Sequence, residues 1–333
     1  MDSLTQIALG SAVAVGVMGR HTAARKAAAW GAVAGTLPDL DALLDHGDAL
    51  LNMVLHRAES HALLYLTLLA PLLAWAVSRL HGEAALFRRW WLALWLVLIT
   101  HPLLDTMTVY GTQLLLPFTR HPFGVGSVFI IDPAYTLPLI AGVVAALRMR
   151  DGARGLRWNT AGLVLSTAYL GWSVFAQAQV MQVARASLQA QGVAAQRLLV
   201  TPLPLQTLLW RVVALPDDPA DPQFREAVVS VFDGPRPVDW AQHDRGAGLM
   251  AQHGQAAPVA QLTRFAHGFV KLAATPDGQL RITDLRMGQE PVYVFNFDLG
   301  PLDAVGSVPA TQVSARPAIG PTLRWMWQRL PSP

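Results

Sequence analysis

Three short polar motifs interrupt the apolar N-terminal half of this 333-residue chain. They are PDLD at 38–41, HRAESH at 56–61 and HPLLD at 101–105. Carboxylates and imidazoles are costly in or beside hydrocarbon unless they pair, face water or bind an ion. Asp and His are also ligands for zinc and similar divalent metals. The motifs therefore predict a metal centre at a membrane surface.

The first two motifs offer different spacings. Asp39 and Asp41 follow a proline, which favours a break or turn, and both could bind one ion or divide the ligand and base roles. His56 and His61 are five residues apart and would not share one helix face, so we expect His56 in a loop and His61 at a helix start. Glu59, between them, is a candidate general base or an outer partner of a ligand.

The third motif places His101 and Asp105 one helical turn apart on the same face. That spacing suits two ligands of one ion, or a carboxylate that orients a ligating imidazole. Pro102 predicts a kink there. The alternative for all three motifs is an ordinary set of hydrogen-bonded polar residues with no metal.

The stretch 106–133 is too polar in parts to lie in lipid, so it is a candidate lid or substrate loop. Arg120 within it could meet an anionic group such as phosphate. Asp132 is either a further site residue or the N-terminal cap of the next helix.

Composition indicates a membrane protein, with 53% hydrophobic residues and only 14% charged, against about 25% charged in soluble domains. We expect the fold to be mainly α, with residues 1–180 forming a polytopic transmembrane bundle of about five to six helices. Glycines in the first two segments would let those helices approach closely. The six apolar segments are roughly 4–19, 27–37, 61–78, 90–108, 133–148 and 158–179.

Basic residues give this bundle an orientation. When the chain is threaded through six spans, ten Arg and Lys residues fall on one side and two, Arg57 and Arg120, on the other. The positive-inside rule makes the basic side cytoplasmic. The three motifs then lie at the outer face of a bacterial inner membrane in a multi-pass protein, and the following domain is extracytoplasmic.

Residues 181–333 are richer in proline and polar residues, and we expect them to form a soluble, strand-rich α+β domain after a helical stalk over about 181–199. Strand-like runs occur at 208–215, 226–232, 268–274, 280–286 and 291–298, and Thr275-Pro276-Asp277-Gly278 predicts a hairpin turn. The chain has no cysteine, which excludes thiolate ligands and nucleophiles. No Lys and Arg run is interleaved with aromatics, so nucleic acid is not an expected partner.

The motifs together resemble the YdjM-like family, in its longer bacterial branch. The resemblance is carried by MDSLTQ at 1–6, the three polar motifs, LLWR at 208–211 and DLRMG at 284–288. Members are described as inner-membrane-associated metal-dependent hydrolases and as LexA-binding proteins. Many relatives have a histidine where this chain has Gln6. The resemblance implies that the metal and catalytic residues are Asp39, Asp41, His56, His61, His101 and Asp105.

The functional prediction is a membrane-bound hydrolase that uses a divalent metal, with zinc expected, and acts at the outer face on a phosphoester or lipid-linked substrate. Asp39, Asp41 or Glu59 would be the general base. The alternative is a non-catalytic binding or regulatory protein with a structural metal or none, and no particular protein partner is predicted. An ion-relay transporter is a third alternative, disfavoured because its charges should lie near the bilayer midplane.

Overall fold

The computed structural model describes residues 1–193, 197–216, 221–233, 237–314 and 319–330. They form two compact units: the first comprises 1–44, 56–173 and 204–206, and the second comprises 45–55, 174–203 and the described residues from 207 onward. The α-helices are α1 (Ser3–Met18), α2 (Ala24–Thr36), α3 (Ala49–Leu55), α4 (Leu63–Leu80), α5 (Phe87–Asp105), α6 (Pro133–Arg148), α7 (Gly152–Ala190), α8 (Ala247–His253), α9 (Ala257–Phe265) and α10 (Ile319–Arg329).

The first unit is a helical bundle in which α1 packs against α2, α5 and α6. Helices α1 and α2 approach very closely, since a Cβ built on Gly10 would lie 2.3 Å from the carbonyl oxygen of Gly31. A Cβ on Gly35 would likewise lie 2.8 Å from the carbonyl oxygen of Gln6. Only glycine allows the two backbones to come this near, as the small-residue pattern of the first two segments predicts.

Helices α4 and α5 form an antiparallel pair, because a short connection with a one-turn 3-10 helix reverses the chain between them. Their shared core contains the fully buried Trp90, Leu94 and Leu98 of α5, packed with small residues such as Ala70 and Ala74 of α4. The reversal brings the start of α4 beside the end of α5. This places the second and third polar motifs together.

The prediction of a polytopic transmembrane bundle is wrong. Among the described residues, α4 alone is both long and apolar enough to cross a membrane. Three of the six apolar runs form helices that are too short: α1 and α6 have 16 residues each and α2 has 13, against the roughly 17–25 that a span needs. Helix α5 begins beside Arg88 and Arg89 and ends at Asp105.

Helix α4 has the surface expected of a span. Leu68, Leu72 and Trp75 are 61%, 66% and 59% exposed within the described structure. A soluble protein would normally bury so many large apolar side chains on one helix. The exposed face of α4 is therefore the surface best suited to lipid.

The second unit contains two four-stranded antiparallel sheets, ordered β1-β2-β3-β4 and β10-β9-β6-β5, and a small β7-β8 ribbon. The turn at 275–278 joins β5 to β6, as its residue types predict. The strands are β1 (Arg197–Pro202), β2 (Leu209–Leu215), β3 (Gln223–Ser230), β4 (Ala241–Asp244), β5 (Val270–Ala274), β6 (Gln279–Asp284), β7 (Gly288–Gln289), β8 (Val292–Tyr293), β9 (Asn296–Pro301) and β10 (Thr311–Gln312).

Two chain segments complicate a simple division at residue 180. Helix α7 runs without a break past that point, and the boundary between the units falls inside it, after Ser173. Helix α3, between the first two polar motifs, belongs to the second unit: the Ala49 amide donates to the Ala310 carbonyl at 3.1 Å, and the Ala310 amide donates to the Asp48 side chain at 2.8 Å.

Candidate metal centre

The three polar motifs meet at one end of the first unit. Pro38 starts a 3-10 helix, Pro38–Leu43, which carries Asp39 and Asp41. A second 3-10 helix, Glu59–His61, ends at His61 just before α4 begins. His101 and Asp105 project from the last turn of α5, although Pro102 lies within that helix.

Four side chains form a compact donor group, hereafter the four-donor group: Asp39, His61, His101 and Asp105. His61 Nε2 lies 3.2 Å from His101 Nε2, 3.2 Å from Asp105 Oδ2 and 3.5 Å from Asp39 Oδ1. His101 Nε2 lies 3.4 Å from Asp39 Oδ1 and 3.5 Å from Asp105 Oδ2. Zinc bonded to nitrogen and oxygen at 2.0–2.2 Å separates tetrahedral ligands by about 3.3–3.6 Å. Five of the six donor separations therefore lie close to the edge length of a zinc tetrahedron, and all four donors lie within 4.8 Å of one another.

Hydrogen bonds on the far side of each imidazole fix its tautomer. His101 Nδ1 lies 2.6 Å from the carbonyl oxygen of Gly35, which can only accept, so Nδ1 carries the proton. His61 Nδ1 lies 2.8 Å from Ser60 Oγ, whose own hydrogen is donated to Asp41 Oδ2 at 2.6 Å. The Ser60 oxygen is thus an acceptor for His61. In the neutral rings both Nε2 lone pairs point into the four-donor group, as metal ligation requires.

The buried carboxylate of the group has an unmatched oxygen. Asp105 is fully buried, and its Oδ2 has no hydrogen-bond partner among the described residues. Its other oxygen contacts the amino group of Met1 and accepts a hydrogen bond from Gln6 Nε2 at 3.2 Å. When both imidazoles are neutral, their Nε2 lone pairs and the Asp105 oxygen face one another with no proton between them, and these atoms repel. A cation placed among them removes the repulsion. The donor set is chemically suited to a divalent ion.

Asp41 and His56, predicted as ligands, lie outside the four-donor group and form an outer layer. Asp41 accepts from Ser60 Oγ, from the Arg57 amide at 2.9 Å, and pairs with His56 Nδ1 at 2.8 Å. Burial opposes ionisation of Asp41, but these hydrogen bonds outweigh it and hold its pKa below the usual range. Asp41 therefore remains an anion that orients Ser60, and through Ser60 it orients His61.

Two further residues of the site were given no functional role on sequence grounds. Arg57 is buried, its backbone adopts φ 64°, and its Nε lies 3.3 Å from Asp105 Oδ2. Its guanidinium also stacks over the ring of Tyr110, 4.9 Å from the centroid. Gln6 is buried beside Asp105, and its Oε1 has no hydrogen-bond partner among the described residues. The available sequence signal for Arg57 was its position inside the HRAESH motif, between two candidate ligands.

The remaining predicted site residues lie in different surroundings. Glu59 is exposed and is not part of the four-donor group. Arg120 is also exposed. Asp132 is buried and caps α6, since it accepts from the Ala134 amide at 3.0 Å and from the Tyr169 hydroxyl at 2.8 Å. Asp132 thus performs the capping role that was the alternative for it.

A helical unit with an apolar, exposed helix and a group of Asp and His donors that could hold a divalent metal is typical of a membrane-associated class of proteins. Within that class, residues 1–180 match the family described as YdjM inner membrane protein, so the chain belongs to that family. The chain is also similar to "Uncharacterized protein YfhP" of Bacillus subtilis (strain 168), with 26% identity over 181 residues. The match covers 51% of this chain and 53% of that relative, so it spans about half of the relative's length. No solved structure matches.

Proposed function

We propose that this protein is a metal-dependent hydrolase of the inner membrane, with zinc in the four-donor group and a phosphoester or lipid-linked substrate. The carrying observation is that five of the six separations among the four donor atoms are 3.2–3.5 Å, close to those of tetrahedral zinc ligands, with both imidazole lone pairs turned inward. Membership of a membrane family supports a substrate at the lipid surface.

Zinc bound to Asp39, His61, His101 and Asp105 would supply a Lewis acid that polarises a phosphoryl oxygen and acidifies a bound water. Among the four donors, Asp39 is the most exposed, with 20% of its side chain accessible. We therefore expect the substrate to approach the metal from the side of Asp39. The other three donors are buried and hold the geometry.

His56 is the proposed proton acceptor. Its Nδ1 is held by Asp41, which leaves Nε2 as the basic nitrogen, and its side chain is 24% exposed. A carboxylate that fixes one imidazole nitrogen and leaves the other free is the usual arrangement of a general base. Asp41 suits the base role less well than His56 because its oxygens already accept three hydrogen bonds.

The presence of four protein donors also supports a non-catalytic, structural role for the metal. Four protein ligands complete a tetrahedral zinc shell, and closed shells are typical of structural sites, whereas catalytic sites keep one position open. In this alternative the metal would fasten the 3-10 helix of Asp39 to α5 in a binding or regulatory protein. Catalysis instead needs a fifth coordination position or displacement of Asp39.

Elemental analysis and phosphodiester hydrolysis of the purified full chain distinguish these roles. The hydrolase proposal expects about one zinc per chain and turnover of bis-p-nitrophenyl phosphate in the wild type. His61→Ala and His101→Ala should lose both, and the control His253→Ala, in the second unit, should lose neither. Stoichiometric metal with no turnover would favour the structural role. Full metal content in His61→Ala would exclude the four-donor group.

We also propose that the four-donor end faces the extracytoplasmic side. Arg79 lies in the last turn of α4 and Arg88 and Arg89 follow that helix, whereas Arg57, which precedes it, is buried against Asp105. The positive-inside rule then assigns the end of α4 to the cytoplasm. Because the chain has no native cysteine, single cysteines at the exposed positions 43 and 85 (Leu43→Cys and Ala85→Cys) can be probed in spheroplasts with a membrane-impermeant maleimide. Labelling at 43 but not at 85 is expected, and the reverse pattern would contradict this orientation.

A further inference from the structure

A polar cavity lies in the first unit, and none of its lining residues belongs to the four-donor group. It has a volume of about 360 Å³, within the usual 300–1,000 Å³ range of ligand pockets. The cavity is formed where α1 ends, with contributions from the start of α5 and the early part of α7. Its lining residues are Gly16, Val17, Arg20, His21, Arg89, Leu156 and Thr160.

The charge of this cavity is entirely basic, because its lining includes two arginines and a histidine but no carboxylate. Arg20 and Arg89 are exposed, and neither forms an ion pair within the described part of the chain. An exposed guanidinium beside another, with no acid between them, favours an anion that can accept from both.

The Glu83 carboxylate, which lies between α4 and α5, does not pair with these arginines. Glu83 accepts from Lys26 Nζ at 2.5 Å and from Thr22 Oγ1 at 2.7 Å through one oxygen, and from Trp90 Nε1 at 2.8 Å through the other. Both carboxylate oxygens are therefore engaged by other donors. The guanidinium groups of Arg20 and Arg89 can therefore bind an anion in the cavity.

The cavity wall has both polar and apolar parts, and this favours an anion that carries an apolar group. Val17 and Leu156 provide apolar surface beside the two arginines. The Thr160 hydroxyl donates to the Leu156 carbonyl at 3.0 Å, so it presents its oxygen rather than its hydrogen to the cavity. A ligand with a phosphate and an attached hydrocarbon portion would match both kinds of wall.

We propose that this cavity binds the phosphate headgroup of an anionic phospholipid. Guanidinium groups donate in pairs to phosphate oxygens, and the apolar wall would contact the glycerol and the first methylenes of the acyl chains. The chain belongs to an inner-membrane family, so such lipids are present at high local concentration. A free phosphate shares the headgroup chemistry but lacks the apolar portion.

The test compares ligands on the detergent-solubilised full chain by calorimetry. The probes are dihexanoyl phosphatidylglycerol, dihexanoyl phosphatidylcholine and inorganic phosphate, all below their aggregation concentrations. Phosphatidylglycerol should bind more tightly than either of the others. Equal affinity for inorganic phosphate would overturn the lipid assignment, and equal affinity for phosphatidylcholine would overturn the requirement for net negative charge.

Substitutions of the lining arginines test whether phosphatidylglycerol binds in this cavity. The double variant Arg20→Gln/Arg89→Gln should weaken phosphatidylglycerol binding at least about tenfold, since two charge-assisted hydrogen bonds are lost. The matched control Arg25→Gln/Arg150→Gln removes the same charge from exposed positions outside the cavity lining and should bind like the wild type. Equal weakening in both double variants would mean that net charge alone attracts the lipid, and the cavity would be rejected.

A steric variant tests the same cavity without changing its charge. A Cβ at Gly16 would meet only ordinary contacts, at 3.7 Å from Leu163 and 3.8 Å from Asn159, so Gly16→Ala should fold and Gly16→Leu should extend into the cavity. Gly16→Ala is expected to retain most of the binding and Gly16→Leu to lose it. Unchanged binding in a folded Gly16→Leu protein would contradict the proposal.

Discussion

His61 Nε2 and His101 Nε2 lie 3.2 Å apart, and both side chains are buried. Each ring has its Nδ1 committed elsewhere, to Ser60 Oγ and to the Gly35 carbonyl. Two neutral imidazoles held this way present lone pairs to each other, an arrangement that is repulsive unless a proton or a metal ion lies between them. This contact joins the second and third polar motifs and predicts how the protein responds to loss of a bound metal.

Removal of metal should destabilise the first unit. Without an ion, Asp105 Oδ2 has no hydrogen bond within the described part of the chain and only the Arg57 guanidinium beside it, and the two Nε2 atoms face each other at 3.2 Å. A metal ion that binds only the folded state stabilises that state by mass action. Treatment with EDTA at neutral pH is expected to lower the Tm of the wild type by about 5–10 °C. The His61→Ala/His101→Ala variant is the control and should not respond. A wild-type Tm unchanged after complete metal removal would argue against a metal in this site.

Ser60 should tune metal affinity without being a ligand. Its hydroxyl accepts from His61 Nδ1 and donates to Asp41, so Ser60→Ala releases the ring from its fixed orientation. Outer partners of this kind are typically worth about 10–100-fold in metal affinity, and a loss in that range is expected by competition with a chromophoric chelator. Ser60→Thr keeps the hydroxyl and should stay near the wild type, as should Ser307→Ala in the second unit. An unchanged affinity in Ser60→Ala would mean that Asp41 and Ser60 are not coupled to the metal.

The sequence was a good guide to which residues meet and a poor guide to their roles. The helical repeat places His101 and Asp105 on one face. The expectation that all three motifs share one end came from threading the chain through six spans; that threading is wrong, yet the structure brings Asp39, His61, His101 and Asp105 together. The division between Asp39 as an inner donor and Asp41 as an outer partner depends on the 3-10 geometry of Pro38–Leu43. His56 likewise lies outside the four-donor group, where its Nδ1 contacts Asp41 at 2.8 Å, a pairing with no local sequence signal.

The number of membrane spans could not be deduced from apolar runs alone. Hydropathy reports composition, while the ends of each helix are set by caps and turns. Asp2 accepts from the Thr5 amide at the start of α1, and Gly19 ends that helix after 16 residues. Helix α3 lies in the second unit because the amide and side-chain bonds of Asp48 and Ala49 reach Ala310, a long-range pairing with no local signal.

The contact between α1 and α2 should tolerate no side chain at Gly31. A Cβ there would lie 2.2 Å from the Gly10 carbonyl oxygen and 2.7 Å from Ala14 Cβ, so the helices must separate. Gly31→Ala is expected to lower the free energy of unfolding by about 1–3 kcal/mol. Gly171→Ala is the matched control: no atom within 4 Å meets its Cβ, and a helical alanine there should be neutral or stabilising by up to about 1 kcal/mol. Urea unfolding followed by tryptophan fluorescence measures both, and equal stability of the two variants would refute the close contact.

Glu83 should give the first unit a stability that is lost in acid. Burial raises its pKa, but hydrogen bonds from Lys26, Thr22 and Trp90 outweigh that effect and lower it to about 2, from 4.5. A carboxyl with a depressed folded-state pKa contributes its full stability above the unfolded pKa and loses it as the pH falls through the folded value. We therefore expect the Glu83 contribution to be complete above about pH 5 and to fade between about pH 4.5 and 2.

Glu83→Gln isolates this contribution. The variant should be about 1.5 kcal/mol less stable than the wild type at pH 7, because the amide keeps only weak hydrogen bonds with Lys26, and the difference should shrink as the pH approaches 3. Glu59→Gln changes an exposed carboxylate and serves as the charge-matched control, with little effect on stability at either pH. A stability difference between Glu83→Gln and the wild type that stays constant from pH 7 to pH 3 would show that the network acts through packing rather than through the charge of Glu83.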